Sequence, residues 1–433
     1  MTDLWLTDAR VPVCLLDGDV AADGDGLARV DVAIADGRIA AVAPAGATRS
    51  GTVLDASGSQ VWPCPVDVHS HLDKGHTWPR AENPDGTFAG ALAATAADRE
   101  AHWSAADVRA RMAFGLACAY AHGTKAVRTH LDSIGKQTAI TWPVFAELRE
   151  AWAGRVALQG VSLSPIDMFA DDEAVRVADT VADHGGVLGA VTYMVPEVDR
   201  LIDRVIGLAA DRGLDLDFHV DETLDPGART LDLIARAVVT HGFSGTVLVG
   251  HCCSLATQPA AVAAATLDRV AEAGIAVVTL PMCNLYLQDR APGRTPRQRG
   301  VTLLHEMAAR GIPVAAASDN CRDPFYGYGD HDMVEVFREA VRIGHLDRPV
   351  GNWPRAVTAT PAAIMGLADS GRIAVGQPAD LVLFRARYYS ELLARPQAGR
   401  VVLRAGQAID AAPPDYRQLD PLFDGGSDDT ATG

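Results

Sequence analysis

Along the first sixty residues apolar and polar positions alternate in short runs broken by turn signals: "ARVPVCLL", "ARVDVAIADGRIAAVAP" and "GTVLDASGSQVWP". A period of two places successive side chains on opposite faces, so these runs predict short strands. The "DGR" between two alternating runs is a hairpin signal, and the segment predicts a small antiparallel sheet. The pattern returns near the other end as "GRIAVGQPADLVLF" and "GRVVLRAGQAI". Residues 1–63 and 371–411 are therefore expected to pair into one β-sandwich, leaving 64–370 as a separate body. Residues 412–433 are acidic and Gly-rich, which predicts a loose tail.

The middle of the chain changes rhythm. Apolar, β-branched runs occur at 60–68, 125–131, 156–163, 187–193, 214–220, 246–251, 275–280 and 313–318. Between most of them lie helix-length segments such as "DEAVRVADTVADHG", "EVDRLIDRVIGLAADRG" and "QPAAVAAATLDRVAEAG", each closing on a glycine that stops a helix. Eight strands alternating with helices predict an α/β fold of the (β/α)8 barrel type. An open doubly wound sheet is the alternative, but no G-x-G-x-x-G follows an early strand.

Composition narrows the function. A chain of 433 residues that is 48% hydrophobic and 21% charged can build a large core. Its net charge of -17 argues against nucleic acid as a partner, because phosphate neutralisation needs a basic surface. The start, "MTDLWLTDAR", has neither a basic segment nor a long apolar one, so no signal peptide is expected. No run of 18 or more apolar residues predicts a membrane span. Seven cysteines without paired spacing suit a reducing cytoplasm. The expected partner is a small molecule, and a homo-oligomer is compatible with an acidic barrel.

In such a barrel the chemistry sits at the C-terminal ends of the strands. His69 and His71 end the first candidate strand, and His130 with Asp132 ends the second. His219 ends the fifth and is followed by Asp221 and Glu222; His251 ends the sixth, and Asp319 follows the eighth. A single histidine at a strand end is ordinarily a hydrogen-bonded residue, and Asp319 alone reads as a helix cap. Several imidazoles and carboxylates converging on one barrel mouth are costly to bury without a cation. One divalent metal, Zn2+ or Fe2+, fits His69, His71, His219 and Asp319, with a position left for water.

The ordered set "HSHLDK", "VRTHLD", "FHVDE", "GHCCSLA", "NLYLQDR", "RQRG" and "SDNCRDPFYGYGD", with the closing "GQPADLVLF", resembles the amidohydrolase superfamily, within it the cytosine deaminase branch. The resemblance implies metal ligands at His69, His71, His219 and Asp319, a proton-handling carboxyl at Glu222, and a water-assisting imidazole at His251. Asp319 would also accept a proton from the attacking water. The expected reaction is hydrolytic removal of an exocyclic amine from a nitrogen heterocycle, with release of ammonia. Binuclear relatives bridge two metals through a lysine on the fourth strand; here that strand, "VLGAVTYMV", has none, which favours one metal.

Departures from the pattern bear on the substrate. Cytosine deaminases carry a glutamine after the third strand, where this chain reads "VSLSPIDMF", and Asn320 stands where an aspartate usually follows the metal-binding Asp. A site built for one hydrogen-bond pattern rejects molecules that lack it. A pterin, a substituted pyrimidine or a triazine is therefore expected in place of cytosine. Candidate substrate contacts are Lys74, with His76 close by it, Asp132, Pro165, Arg290 and Asn320, with Trp78 and Gln288 as weaker ones. The alternative activity is cleavage of another C–N bond, in an N-alkylamine or a cyclic amide, by the same metal centre. A non-catalytic scaffold is disfavoured, because such proteins usually lose ligands and this chain keeps the set.

Overall fold

The computed structural model describes residues 4–423 apart from 19, 47, 48 and 50. Eight parallel strands form the barrel: β6 (Val66–Ser70), β7 (Ala126–Asp132), β8 (Ala157–Leu163), β9 (Leu188–Thr192), β10 (Leu216–Val220), β11 (Val247–His251), β12 (Ala276–Thr279) and β13 (Val314–Ala316). They hydrogen-bond as a three-stranded group β6-β7-β8 and a five-stranded group β9 to β13. Parallel bridges between Val161 and Val187 and between Ser70 and Asp319 join the groups on both sides and close the ring.

Each strand lies where an apolar run predicts one, because a parallel strand covered on both faces is apolar throughout. Val66, Val68, Leu248, Val278 and Ala315 fill the barrel's interior and meet Ile364 and Met365. Several of the outer helices carry one apolar stripe. In Val198–Arg212 the buried positions Leu201, Ile202, Val205, Ile206 and Ala209 follow the helical period, and Gly213 ends the helix in a left-handed turn.

The run 60–68 does not form one strand. Pro63 and Pro65 lack the amide hydrogens that a continuous ladder needs, and the chain breaks at Cys64. Its first half, β5 (Val61–Pro63), leaves the barrel and pairs antiparallel with β14 (Leu381–Leu383), beside β15 (Val401–Arg404) and β16 (Gln407–Ala408). A second four-stranded sheet is formed by β1 (Leu4–Pro12), β2 (Leu27–Ala35), β3 (Arg38–Pro44) and β4 (Val53–Asp55). The β2–β3 turn sits at Asp36 and Gly37, both with positive φ, as the "DGR" signal requires. The sandwich thus draws strands from both chain ends.

The expected loose tail departs from the structure as far as Phe423. Tyr416–Leu422 forms a 3-10 turn, and Leu419 packs with Phe114 and Cys118 of the helix Ala105–Ala121. The packing supplies apolar burial that the tail's acidic composition hides; residues 424–433 lie outside the described residues. Among the described residues no helix is long and apolar enough to cross a membrane.

Candidate active site

His69 lies in β6 and His71 one residue beyond it, with His219 in β10, His251 closing β11, and Asp319 three residues after β13. Asp319 and His251 take left-handed backbone conformations, φ 62° and 67°, as the chain turns away from its strand ends. The backbone N–H of Asp319 donates to the carbonyl of His69 at 2.9 Å, so the closure of the barrel itself sets one candidate ligand beside another.

The side chains converge. Asp319 Oδ1 stands 3.1 Å from His71 Nε2 and 3.6 Å from His69 Nε2, and His71 Nε2 is 3.2 Å from His219 Nε2. Ligand atoms of His69, His219, His251 and Asp319 all lie within 4.8 Å of one another. All five residues are buried. His69 Nε2, His251 Nε2 and Asp319 Oδ1 have no hydrogen-bond partner among the described residues. Burial, reinforced by neighbouring imidazoles and Lys74, holds His69, His71 and His219 well below the ordinary histidine range. Burial, with a contribution from Asp323, pushes Asp319 up to about 8. The unpartnered Nε2 of His69 and the other neutral imidazoles beside Asp319 Oδ1 form a donor set that fits a divalent cation, which would remove both penalties.

A second ring of polar groups orients the first. His130 Nε2 lies 3.1 Å from His69 Nδ1, and behind it Asp217 accepts from Arg128 at 3.0 Å. Such outer partners fix the ring orientation of a ligating imidazole. On the other side, the Asn284 side-chain amide donates to His251 Nδ1 at 3.0 Å and to Glu222 Oε1 at 3.3 Å. His251 and Glu222 are themselves 3.4 Å apart. Burial, then the charge of Asp319, raises Glu222 well above the carboxylate range, while burial lowers His251 to about 3. The pair therefore presents a neutral acid beside a neutral base.

The candidate substrate contacts fall in different places. Lys74 and Asp132, after β6 and at the end of β7, form a buried ion pair of 2.7 Å, and Arg99 binds the other oxygen of Asp132 at 2.7 Å. Asn320 is buried and donates to Asp323 Oδ2 at 2.7 Å. Pro165 follows β8 and bridges to Val191 of β9. Arg290 is exposed, bonded to the carbonyl of Tyr286 and stacked on its ring at 4.4 Å. Gln288 donates to the Glu222 carbonyl at 3.2 Å, and Trp78 packs beneath Gly327 of the "YGYGD" loop. Asp221 serves the fold, accepting the Thr230 and Leu231 amides at the start of the helix Thr230–His241. Asn284 is absent from the sequence-based candidates, although it is the first residue of "NLYLQDR"; nothing in its spacing reveals that the helix Pro281–Leu287 leans it between Glu222 and His251.

Comparisons with known proteins identify the chain's relatives. The profile of the amidohydrolase family matches residues 83–409. A pterin deaminase of Rhizobium rhizogenes is 57% identical over 420 residues, covering 96% of each chain. N-isopropylammelide isopropyl amidohydrolase of a Pseudomonas species is 25% identical over 77% of this chain and 81% of its own. Among solved structures, 5-methylcytosine deaminase of Klebsiella pneumoniae bound to phosphonocytosine superposes with a TM-score of 0.82 at 23% identity, covering 94% of this chain and 98% of that one.

Proposed function

The chain belongs to the amidohydrolase family, and from that premise we propose that it is a metal-dependent deaminase that hydrolyses the exocyclic amine of a pterin. The observation that carries this reading is the near-complete coverage by a relative named pterin deaminase, at an identity of 57%.

His69, His71, His219 and Asp319 would hold one divalent cation, and imidazole with carboxylate suits either zinc or ferrous iron. When bound, that cation supplies the Lewis acidity that makes hydroxide available near neutral pH. Asp319 takes the proton of the attacking water, while His251, through the Nε2 that has no partner among the described residues, orients that water and stabilises developing charge. Glu222, held neutral by its surroundings, donates its proton to the ring nitrogen of the amidine. The carbon becomes electrophilic, water adds, and the proton that Asp319 took passes through the Glu222 carboxylate to the amino group, while the hydroxyl proton of the adduct returns to Glu222. The C–N bond then breaks, releasing ammonia and leaving a lactam carbonyl. Asp132 ends a barrel strand and Lys74, Pro165 and Asn320 follow barrel strands, and these four are the proposed contacts to the ring. Arg290 is the proposed contact nearest the surface.

The test is ammonia release by metal-loaded protein from pterins, isocytosine, cytosine and aminotriazines. Ammonia from pterins, lost in Glu222→Gln and after chelation, is the expected result; no ammonia from any pterin defeats the reading. The relative that acts as an isopropyl amidohydrolase supports a second reading, cleavage of an N-alkylamine, which would release an alkylamine in place of ammonia.

A further inference from the structure

A second group of ligand-type side chains lies outside the site described above. His76, Cys321 and His331 each offer a ligand atom, and the three atoms lie within 4.8 Å of one another. All three residues are buried, with exposures of 1%, 1% and 2%. Both ring nitrogens of His76 and both of His331 have no hydrogen-bond partner among the described residues. Four unpartnered imidazole nitrogens in one buried spot are unusual, because a neutral imidazole keeps at least one strong donor and one strong acceptor.

The surroundings are shaped around these rings. The His76 ring meets Phe114 edge-on at 4.8 Å and lies 5.7 Å from the His331 ring. A Cβ on Gly115 would stand 3.0 Å from His331 Nε2, so the helix Ala105–Ala121 approaches the imidazole closely because glycine occupies that position. Cys118 of the same helix is buried. His76 and His331 both hold left-handed backbone angles, φ 63° and 55°.

We propose that His76, Cys321 and His331 bind a second divalent cation, zinc, in a buried structural site. Two imidazoles and one thiolate match its preference for nitrogen and sulfur, and a water would complete four-coordination. Around zinc the ligand atoms would stand roughly 3.3–3.8 Å apart, given bonds of about 2.0–2.3 Å, a spacing inside the 4.8 Å within which they already lie. The thiol proton of Cys321 leaves to solvent as the bond forms. The cation would tie the loop after β6, which carries Lys74, to the loop after β13, which carries Asp319 and Asn320. These loops already share backbone bonds, from the His76 amide to the Cys321 carbonyl at 2.9 Å and from the Trp78 amide to the Arg322 carbonyl at 2.8 Å.

The experiment is zinc X-ray absorption and metal analysis on the full-length protein purified from zinc-supplemented cells. Two zinc ions per chain and a sulfur shell at about 2.3 Å are expected, since the first site has only nitrogen and oxygen ligands. Cys321→Ser should remove the sulfur shell and one equivalent; His71→Asn should remove the other equivalent and keep the shell. Failure of the first site thus reads differently from failure of this one. One zinc per chain with no sulfur shell in the wild-type protein overturns the proposal, as does a shell that survives Cys321→Ser. The wild-type measurement decides even where that variant does not fold, and His331→Gln then supplies a milder test by the loss of one equivalent.

Discussion

The Asn284 amide reaches His251 Nδ1 at 3.0 Å with its hydrogen directed at the ring, which assigns the ring's own proton to Nε2, the nitrogen turned toward the cation cluster. One amide therefore sets the tautomer of the proposed water-orienting group and touches Glu222 at the same time. Asn284→Ala should lower kcat by about 10–100-fold, the range for partners that orient a reacting imidazole, with metal content unchanged. Steady-state kinetics beside metal analysis checks this; a loss confined to KM would mean that Asn284 serves the substrate.

Five donors crowd the cluster, and four are proposed as ligands. His71→Asn should leave the first site largely empty. His251→Asn should keep the cation while losing about 100-fold or more in kcat, as expected for a residue that handles water. Metal lost from His251→Asn would make that imidazole a ligand and reassign His71, whose Nε2 lies 3.1 Å from Asp319.

Glu222 works in its protonated form, and its surroundings raise its affinity for that proton. The protonated fraction falls as pH rises through the raised value, so kcat/KM should decline on the alkaline side. Glu222→Gln should remove that limb together with at least about 100-fold of activity. Linkage has the same sign in the chelated protein. The folded chain keeps a proton that the unfolded chain releases above its ordinary value of 4.5, so stability declines as pH climbs from there toward the raised value. The Tm of chelated Glu222→Gln should vary less with pH over this interval than that of the chelated wild type.

Gly189 in β9 has no space for a side chain: a Cβ would stand 2.3 Å from the Ser162 carbonyl and 2.7 Å from that of Asp217. Gly189→Ala should destabilise by about 1–3 kcal/mol or more, as overpacking against backbone does. It should also weaken cation binding through Asp217 and its neighbour His130. Gly207, in an outer helix with open space around it, is the control; Gly207→Ala should stabilise by about 0.5–1 kcal/mol. Thermal melts of the two variants should move in opposite directions.

The barrel is legible in the sequence because strands buried on both faces must be apolar along their length, and the strand-end positions of His69, His219, His251 and Asp319 follow from that periodicity. Less legible are features that depend on how separate elements meet. Asn284 acquires its place through the approach of one short helix to β11, and His76 meets His331 across two loops that periodicity does not describe. The break at Cys64 was present in the spacing of Pro63 and Pro65, yet an apolar run conceals it until β5 is seen to pair elsewhere. Tyr416–Leu422 lies in a stretch whose composition predicts no fixed structure, and the apolar face that holds it belongs to Phe114 and Cys118.

That pairing of β5 with β14 also fixes an order of events during synthesis. Val61 finds its partner at Leu383, so the ribosome must add more than three hundred residues after β5 emerges before its ladder can close. At about 5–20 residues per second, β5 waits roughly 15–65 s with an open edge, directly upstream of the strand that begins the barrel. A nascent chain halted before β14 would present that unpaired edge to chaperones, and a released chain truncated before β14 would do so permanently.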